Sequence, residues 1–506
     1  MIAIDVLPTA VLSDDQIQLL MRSGRPADLL IWRSLPARPL ATSYLHSVIR
    51  RIQVAETISM ELPKQALVTT RTKRQGRELE RKIRDRSAKL GVLGLGYSGL
   101  HLALEMAHSG FHVTAIDIDS TKVESLKGGV SFVTDVQNEE LYSAVVGGTL
   151  RATQSFAAME LLDAISICVP TPRRTTRDAD LSYLLAGVEA VHNHLTPGKL
   201  VIIESTISPG TTRDTVLPIL QKSGRQVGRD FFLAYSPKPR HFGTPMTRDI
   251  TKVIGGMSPR CAALADLLYQ QFGKRTIQVS SLESAEMVKF METTFRSVNS
   301  ALANEMATLC SKFGVDIWEV IEAAKFTPFE FMPIDPGPGT GQGQRNRTAL
   351  SNLSGISRMN GFKPLLVEIA ELVNSQLPAM TSSRIADVLS KNQKSINGSH
   401  ILALGIAQTR DGHDVRESLS LEILKSLHEK GAIVTYSDPH VLSIDLNRTT
   451  LRSIEITPSV LSDTDCVLIL TDHSAFDYRA IVANSRLVLD CRNALRRQRG
   501  DNIVAV

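Results

Sequence analysis

The chain has 506 residues, of which 43% are hydrophobic and 22% charged, and its formal net charge is +5 at pH 7. These values are typical of a globular protein, and the length predicts two to four domains instead of a single core. No stretch of about 18 uncharged apolar residues occurs, so we expect no stable membrane insertion. The opening MIAIDVLPTAVLSDDQ has acids where a signal peptide needs basic residues. A cytoplasmic location is therefore expected.

The five cysteines are scattered along the chain and odd in number. No C-x-x-C pair occurs, so we expect neither a metal site nor a disulfide framework. Cys310 falls within an apolar helical pattern, which favours a core position. The others are Cys168, Cys261, Cys466 and Cys491.

Residues 1–88 are predicted to form an N-terminal extension that ends in a basic helix. Most of its excess positive charge lies between Arg71 and Lys89. Within this run Glu78 and Lys82 are spaced i,i+4, as are Glu80 and Arg84, which suits a solvated helix. Such a run can contact nucleic acid or an acidic membrane surface. We favour a charged helix that joins the extension to the main body, and expect no nucleic-acid partner.

Residues 89–283 predict a parallel, doubly wound sheet. KLGVLGLGYSGLHLALEMAHSGFHVTAIDID indicates a buried strand, a glycine turn, an apolar helix and a second strand that ends in acids. Alternating patterns of strand and helix continue, including a helix near 181–195. The further predicted strands are AISICVP, KLVIIEST, FFLAYSP and TKVIGG.

Residues 284–391 predict a helical connector. One long helix over 284–313 has apolar residues on more than one face, as expected when a helix packs on its own domains and on a second copy. We therefore expect a homodimer. A segment rich in proline and glycine follows, and then a helical stretch to about Lys391. The apolar residues of the long helix include Met287, Phe290, Met291, Val298 and Leu302.

Residues 392–506 predict a second α/β unit, with strands HILALGIA, AIVTYSDP, DCVLILTD and RLVLDCRN and a helix near 416–430. The expected fold class is therefore α/β. Two Rossmann-like doubly wound domains are joined by a long central helix region, and an N-terminal extension precedes them.

Gly94, Gly96 and Gly99 form G-x-G-x-x-G directly after a predicted strand and at the start of a helix. The first glycine permits a tight turn, the second lets a pyrophosphate approach the backbone, and the third allows close helix packing. The next strand ends at Asp117, 21 residues after Gly96. An acid at this place binds ribose hydroxyls and disfavours a 2′-phosphate. The motif predicts NAD as the cofactor, in preference to NADP.

Further short motifs follow the glycine turn in order: VPTP, ESTISPGTT, VIGG, AEMVKFMETTFRSVNSALANE, PGPG, D-x-R-E-S, SDP and DCRN. With the glycine turn, these motifs resemble the UDP-glucose / UDP-N-acetylmannosamine / GDP-mannose 6-dehydrogenases. The resemblance runs from about Lys89 to Arg497. It implies an NAD-binding domain, a central helix that forms a dimer, and a C-terminal nucleotide-binding domain.

The resemblance implies roles for particular residues. It implies a nucleotide sugar or nucleotide as substrate, and cofactor contacts from the glycine motif and other residues. The expected NAD contacts, besides the three glycines, are Tyr97, Asp117, Lys122, Thr171 and Thr206. The expected substrate contacts are Lys289, Pro338, Gly339 and Arg492.

The sequence departs from the family at the positions that complete its reaction. The family oxidises a primary alcohol to a carboxylate with two NAD⁺, and its second step needs a cysteine thiolate that forms a thiohemiacetal. Gln344 stands at that position. The nearby departures are Lys238 for a glutamate, Thr293 for an asparagine and Thr348 for an aspartate.

Several functions remain open from the sequence. The preferred hypothesis is a single hydride transfer that gives an aldehyde or ketone, with Lys289 and Thr206 as the catalytic residues. Lys289 would polarise the hydroxyl or accept its proton through water, and a buried lysine near other cations has a lowered pKa that suits a base. The alternatives are a pseudoenzyme or regulatory subunit, a scaffold that recruits partners through residues 1–88, and a four-electron dehydrogenase that uses another residue. Lys238, Arg345 and Arg347 fit either a pocket for an extra anionic group or a solvent-facing loop, so a nucleotide oxidised on its ribose is an alternative substrate.

Overall fold

The computed structural model describes residues 75–133, 136–172, 180–237, 251–326, 334, 336–337, 363–415, 418–447 and 449–505. Helix α1 (75–84) contains the predicted i,i+4 pairs, with Glu80 3.0 Å from Arg84 and Glu78 3.8 Å from Lys82. Its other face buries Leu79 and Ile83 in the core of the first sheet. This charged helix therefore packs against the domain that follows it.

The first sheet has eight strands within the described residues, in the order β3-β2-β1-β4-β5-β6-β7-β8. Strands β1 to β6 are paired in parallel, β7 runs antiparallel to β6, and β8 is parallel to β7. The chain therefore reverses its direction of winding between β1 and β4, where parallel sheets bind ligands. The strands are β1 Lys89–Leu93, β2 His112–Ile116, β3 Leu150–Thr153, β4 Ala164–Ile167, β5 Leu200–Ile203, β6 Phe232–Tyr235, β7 Lys252–Gly256 and β8 Thr276–Gln278.

Helices cover both faces of this sheet, as the apolar strands require. Strand β1 shows the two faces, because Leu90 and Val92 belong to one core cluster and Leu93 to the other. The prediction of a doubly wound sheet is confirmed. The helices are α2 Tyr97–His108, α3 Ser120–Lys127, α4 Asn138–Val146, α5 Ser182–Asn193, α6 Leu217–Gln221 and α7 Pro259–Gln271.

The central region begins with α8 (Leu282–Phe313), whose first turn is capped by the Ser281 side chain and which ends at Gly314, φ 69°. Helix α9 (Ile317–Ala324) and helix α10 (Leu365–Lys391) follow. Asn374 of α10 donates to the carbonyl of Ser297 on α8 at 3.1 Å. The predicted long central helix region is confirmed, and α8 begins two residues before the predicted start at 284 and ends at the predicted 313.

The second sheet is parallel and has the order β10-β9-β13-β14-β15. A small antiparallel pair, β11 with β12, was not predicted, and neither was β15. None of the helices in the described part of the chain is both long and apolar enough to cross a membrane. The elements are β9 His400–Leu404, α11 Leu419–Glu429, β10 Ile433–Ser437, β11 Ser443–Leu446, β12 Thr449–Arg452, α12 Pro458–Asp463, β13 Cys466–Ile469, α13 Tyr478–Asn484, β14 Val488–Asp490 and β15 Ile503–Ala505.

Candidate active site

The glycine turn between β1 and α2 has the geometry that the motif predicts. Gly94 has φ 95°, and a Cβ at Gly99 would lie 1.8 Å from the carbonyl oxygen of Gly94. Gly96 differs, because its backbone (φ −76°, ψ −174°) is open to any residue. A Cβ there would meet no atom of the described residues within 4 Å. The described protein atoms therefore require Gly94 and Gly99, whereas at Gly96 they leave room for a ligand to approach the backbone.

Asp117 lies at the end of β2, beside this turn. Its carboxylate accepts the backbone N–H of Leu95 at 2.6 Å and that of Asp119 at 2.9 Å. Lys122 Nζ lies 3.8 Å from Asp117 Oδ2, so the lysine and the acid form one polar group near the glycine turn. Tyr97 begins α2 and is 37% exposed. The predicted cofactor residues of this half therefore lie on adjacent elements.

Thr171 and Thr206 follow β4 and β5 and lie together. Thr171 Oγ1 donates to the carbonyl of Thr206 at 2.9 Å, and Ser205 Oγ donates to the carbonyl of Val169 at 2.8 Å. Both threonines are half-buried. These two hydrogen bonds join the loops at the carboxyl ends of neighbouring parallel strands, where the nicotinamide half of a dinucleotide would lie.

A buried charged group centred on Glu204, two residues before Thr206, was not predicted from the sequence. Glu204 accepts hydrogen bonds from Lys252 Nζ at 2.8 Å and from the Tyr269 hydroxyl at 2.5 Å. Burial, together with the Glu204 carboxylate, raises the pKa of Tyr269 well above its ordinary value, so the phenol remains a donor. These contacts fix the end of β5. The local sequence signal of this group is Glu204 in E-S-T alone, because its partners Lys252 and Tyr269 lie on β7 and α7.

Helix α8 contains Lys289 and also an acid, Glu286, that binds the loop after Thr206. Glu286, one turn before Lys289, accepts the backbone N–H groups of Gly210 at 2.6 Å and Thr212 at 3.0 Å. Burial raises the pKa of Glu286 above its ordinary value. Lys289 Nζ lies 3.2 Å from Glu292 Oε2, and the lysine side chain is 12% exposed. Residues 286 and 289 lie on one side of α8, about 4.5 Å apart along its axis.

The PGPG segment contacts the C-terminal domain through Gly337. Its N–H donates to Asn304 Oδ1 of α8 at 2.9 Å. A Cβ at Gly337, where φ is 101°, would lie 2.5 Å from the carbonyl oxygen of Cys491. Arg492, the next residue, has its N–H bound to Asp490 Oδ1 at 2.8 Å. Gly337 therefore lies beside Cys491, the residue that precedes Arg492.

Several residues singled out in the sequence lie outside the described residues. They are Lys238, Pro338, Gly339, Gln344, Arg345, Arg347 and Thr348. By contrast, Thr293, at the position of the family's asparagine, is described and is 2% exposed on α8.

All five cysteines are within the described residues. Cys261, Cys466 and Cys491 are buried, and burial raises the pKa of the Cys466 thiol to about 12. Cys168 lies in the first core cluster. Cys310 is half-buried and not in the core, contrary to the expectation from its helical pattern. It lies 21 residues beyond Lys289 on α8, or about 30 Å along the helix axis.

Comparison with known families gives three matches in chain order. The NAD binding domain of the UDP-glucose/GDP-mannose dehydrogenase family matches residues 88–273. The central domain of the same family matches residues 283–376, and its UDP binding domain matches residues 402–497.

Individual proteins are similar over most of their length. The UDP-N-acetyl-D-mannosamine dehydrogenase of Pyrococcus horikoshii is 32% identical over 416 residues, 81% of this chain and 96% of that protein. The UDP-N-acetyl-D-glucosamine 6-dehydrogenase of Salmonella typhi is 28% identical over 82% of this chain and 98% of that protein. The solved structure of the Pyrococcus horikoshii UDP-D-ManNAc dehydrogenase superposes with a TM-score of 0.73 and 29% identity, covering 82% of this chain and 98% of that one.

Proposed function

This chain belongs to the UDP-glucose/GDP-mannose dehydrogenase family and has its NAD-binding domain, and we propose that it oxidises an alcohol by one hydride transfer. The substrate would be a nucleotide sugar or a nucleotide, and the product an aldehyde or ketone. The alternative outcomes are NAD and nucleotide binding without turnover, and four-electron oxidation by another residue.

The placement of the cysteines is the observation that carries this proposal. A second oxidation through a thiohemiacetal needs a thiolate within bonding distance of the aldehyde carbon. Gln344 occupies the position of the family's cysteine in the sequence. Four of the five thiols are buried, and Cys310 is about 30 Å along α8 from Lys289. By contrast, the geometry of the glycine turn, Asp117 and the bonded pair Thr171–Thr206 supports binding of a dinucleotide.

The proposed reaction needs few groups. The glycine turn and Asp117 would hold NAD⁺, which when bound supplies the hydride acceptor. The hydroxyl proton of the substrate would pass to the protein or to water. Lys289 would donate a hydrogen bond to the reacting oxygen, since the carboxylate of Glu292 at 3.2 Å stabilises the positive charge of the lysine. A role of Lys289 as base, expected from nearby cations, stays a prediction. Thr206 would orient the reacting groups from the end of β5.

The test is the stoichiometry of NADH. The full-length chain is incubated with NAD⁺ and a panel of UDP-sugars, GDP-sugars and free nucleotides, with hydrazine as a carbonyl trap. We expect one NADH per substrate and a trapped hydrazone. A carboxylate with two NADH per substrate would overturn the proposal. NAD and nucleotide binding by calorimetry with no NADH from any member of the panel would favour the pseudoenzyme instead.

We also propose a homodimer through α8. Its side chains Met287, Met291 and Phe295 are 46%, 71% and 46% exposed, although Phe290 is buried. Large apolar residues at helical spacing on an exposed face favour a protein partner. The exposed face continues along the same helix with Leu302, Met306, Leu309 and Phe313.

A further inference from the structure

Three side chains in the C-terminal domain lie together although they are far apart in the sequence. Asp411 follows β9, His440 follows β10 and His473 follows β13. These strands are neighbours in one parallel sheet, so their carboxyl ends meet at the same edge. One potential ligand atom from each residue lies within 4.8 Å of the other two. The hydride transfer proposed above assigns no role to these three residues.

His473 is oriented as metal-binding histidines are. Its ring is fully buried, and Nε2 lies 3.2 Å from the buried carboxylate of Asp438. That carboxylate also accepts the backbone N–H groups of Ile406 and Ala407, at 2.7 Å and 3.0 Å. Asp438 therefore accepts from the Nε2–H of His473, which leaves the lone pair on Nδ1. A carboxylate behind the second ring nitrogen is the usual support of a histidine that binds a metal.

His440 supplies a second nitrogen. Its ring centroid lies 5.1 Å from that of His473. In the part of the chain that the structure describes, His440 Nε2 is buried and has no hydrogen-bond partner. A buried polar atom without a partner costs free energy, and a bound cation would remove that cost.

Two of the three separations between ligand atoms are close to those around a single ion. Asp411 Oδ1 lies 3.8 Å from His440 Nε2 and 3.7 Å from His473 Nδ1. Ligand atoms about 2.1 Å from a tetrahedral metal are separated by about 3.4 Å, so these two pairs need to close by only a few tenths of an ångström. Asp411 has a left-handed backbone, φ 54°, and its carboxylate is held by the Ser474 N–H at 2.8 Å.

One hydrogen bond must be exchanged when an ion binds. The Asp411 N–H donates to His473 Nδ1 at 2.9 Å. A hydrogen bond between neutral groups is weaker than the bond from an imidazole nitrogen to a divalent ion, so the ion would replace it. The side chain of Asp411 is 40% exposed, which leaves room for the carboxylate to move.

We propose that Asp411, His440 and His473 bind one divalent transition-metal ion of the zinc class, with a fourth position left for water or a substrate oxygen. Two imidazoles and one carboxylate favour zinc, cobalt or nickel over magnesium and calcium, which prefer oxygen ligands. The ion would join the three loops at the carboxyl edge of the second sheet.

The test measures binding and does not depend on turnover. The full-length chain is freed of metal with a chelator and titrated with Co²⁺ and then Zn²⁺. We expect one ion per chain and a visible Co²⁺ spectrum without thiolate bands in the near ultraviolet. Loss of an outer partner typically weakens metal binding about 10–100-fold, so His440→Ala and Asp411→Asn, which each remove a direct ligand, should weaken it at least about 100-fold.

The matched control is His428→Ala, an exposed histidine at the end of α11 in the same domain. It should bind as the unmodified chain does. Zinc should also raise the Tm of the unmodified chain and of this control, but not that of His440→Ala. Equal affinity in His440→Ala, thiolate bands in the Co²⁺ spectrum, or no binding by the unmodified chain would each overturn the proposal.

Discussion

At the scale of single residues, Gly96 and Gly99 lie in one turn but are required for different reasons. An alanine Cβ at position 99 would overlap the carbonyl oxygen of Gly94 at 1.8 Å. The same group at position 96 would point into space that the described residues leave open. Their substitutions therefore separate the stability of the turn from the binding of the cofactor.

We expect Gly99→Ala to destabilise the fold by about 1–3 kcal/mol, as overpacking does, and to lose NAD binding with it. Gly96→Ala should leave the Tm unchanged but weaken NAD binding about tenfold or more, which is about 1.4 kcal/mol. Thermal unfolding and calorimetric titration of both variants make the comparison. Unchanged NAD affinity in Gly96→Ala would argue against a pyrophosphate at this turn.

Lys289 is the second test at this scale. Lys289→Ala should reduce turnover by about 100-fold or more, because loss of one hydrogen-bond donor to a developing negative oxygen costs about 10²–10³. NAD affinity should hardly change, because the described cofactor residues lie on other elements. Glu292→Ala is the companion variant, since its carboxylate lies 3.2 Å from Lys289 Nζ. A fall in NAD affinity equal to the fall in turnover would contradict the assigned role of Lys289.

At the scale of elements, α8 performs two tasks with different faces. One face is buried in the chain itself, where Glu286 binds the loop after β5 and Asn304 binds Gly337. The other presents Met291, 71% exposed, and Phe313, 74% exposed. A helix with both faces apolar needs a second partner, and a second copy would supply the same helix across a two-fold axis.

We expect the unmodified chain to sediment as a dimer at micromolar concentration and Met291→Glu to shift it toward monomer. A two-fold interface would contain the introduced carboxylate of both copies, and each carboxylate would lose its contact with water there. Val146→Glu is the matched control, because Val146 is 66% exposed on α4. A monomeric unmodified chain, or equal dissociation of the control, would contradict the proposed interface.

At the scale of the whole molecule, a buried lysine makes stability depend on pH. Lys199 is 1% exposed, and its ammonium donates to the carbonyls of Met159 and, at 3.0 Å, His194. Burial lowers the pKa of Lys199 from 10.5 to about 8. Below pH 8 both folded and unfolded chains carry this charge, so the folded state has the full cost of burying it.

As the pH rises from about 8 toward 10.5, the folded chain loses the proton while the unfolded chain keeps it, which relieves the cost. The free energy of unfolding of the unmodified chain should therefore rise relative to that of Lys199→Met by up to about 3 kcal/mol. Urea unfolding on both sides of pH 8 measures it, with the exposed Lys222→Met as control. A difference that is constant with pH would contradict the assignment to Lys199.

The sequence by itself determined the order and type of most elements. Glycine spacing, runs of buried apolar residues and the helical pattern over 284–313 are local signals, and α8 and the end of α10 follow them closely. Short pieces were missed, among them β8 and the pair β11 with β12, because three or four residues carry too little pattern.

Only the tertiary structure brought together residues that share no local pattern. Glu204, Lys252 and Tyr269 belong to three different elements, and Asp411, His440 and His473 to three different loops. Half-burial of Cys310 depends on what packs against α8, and the place of Gly337 beside Cys491 depends on how two domains meet. Periodicity reports which face of an element is apolar, whereas the partner of that face is set by the packing of distant segments.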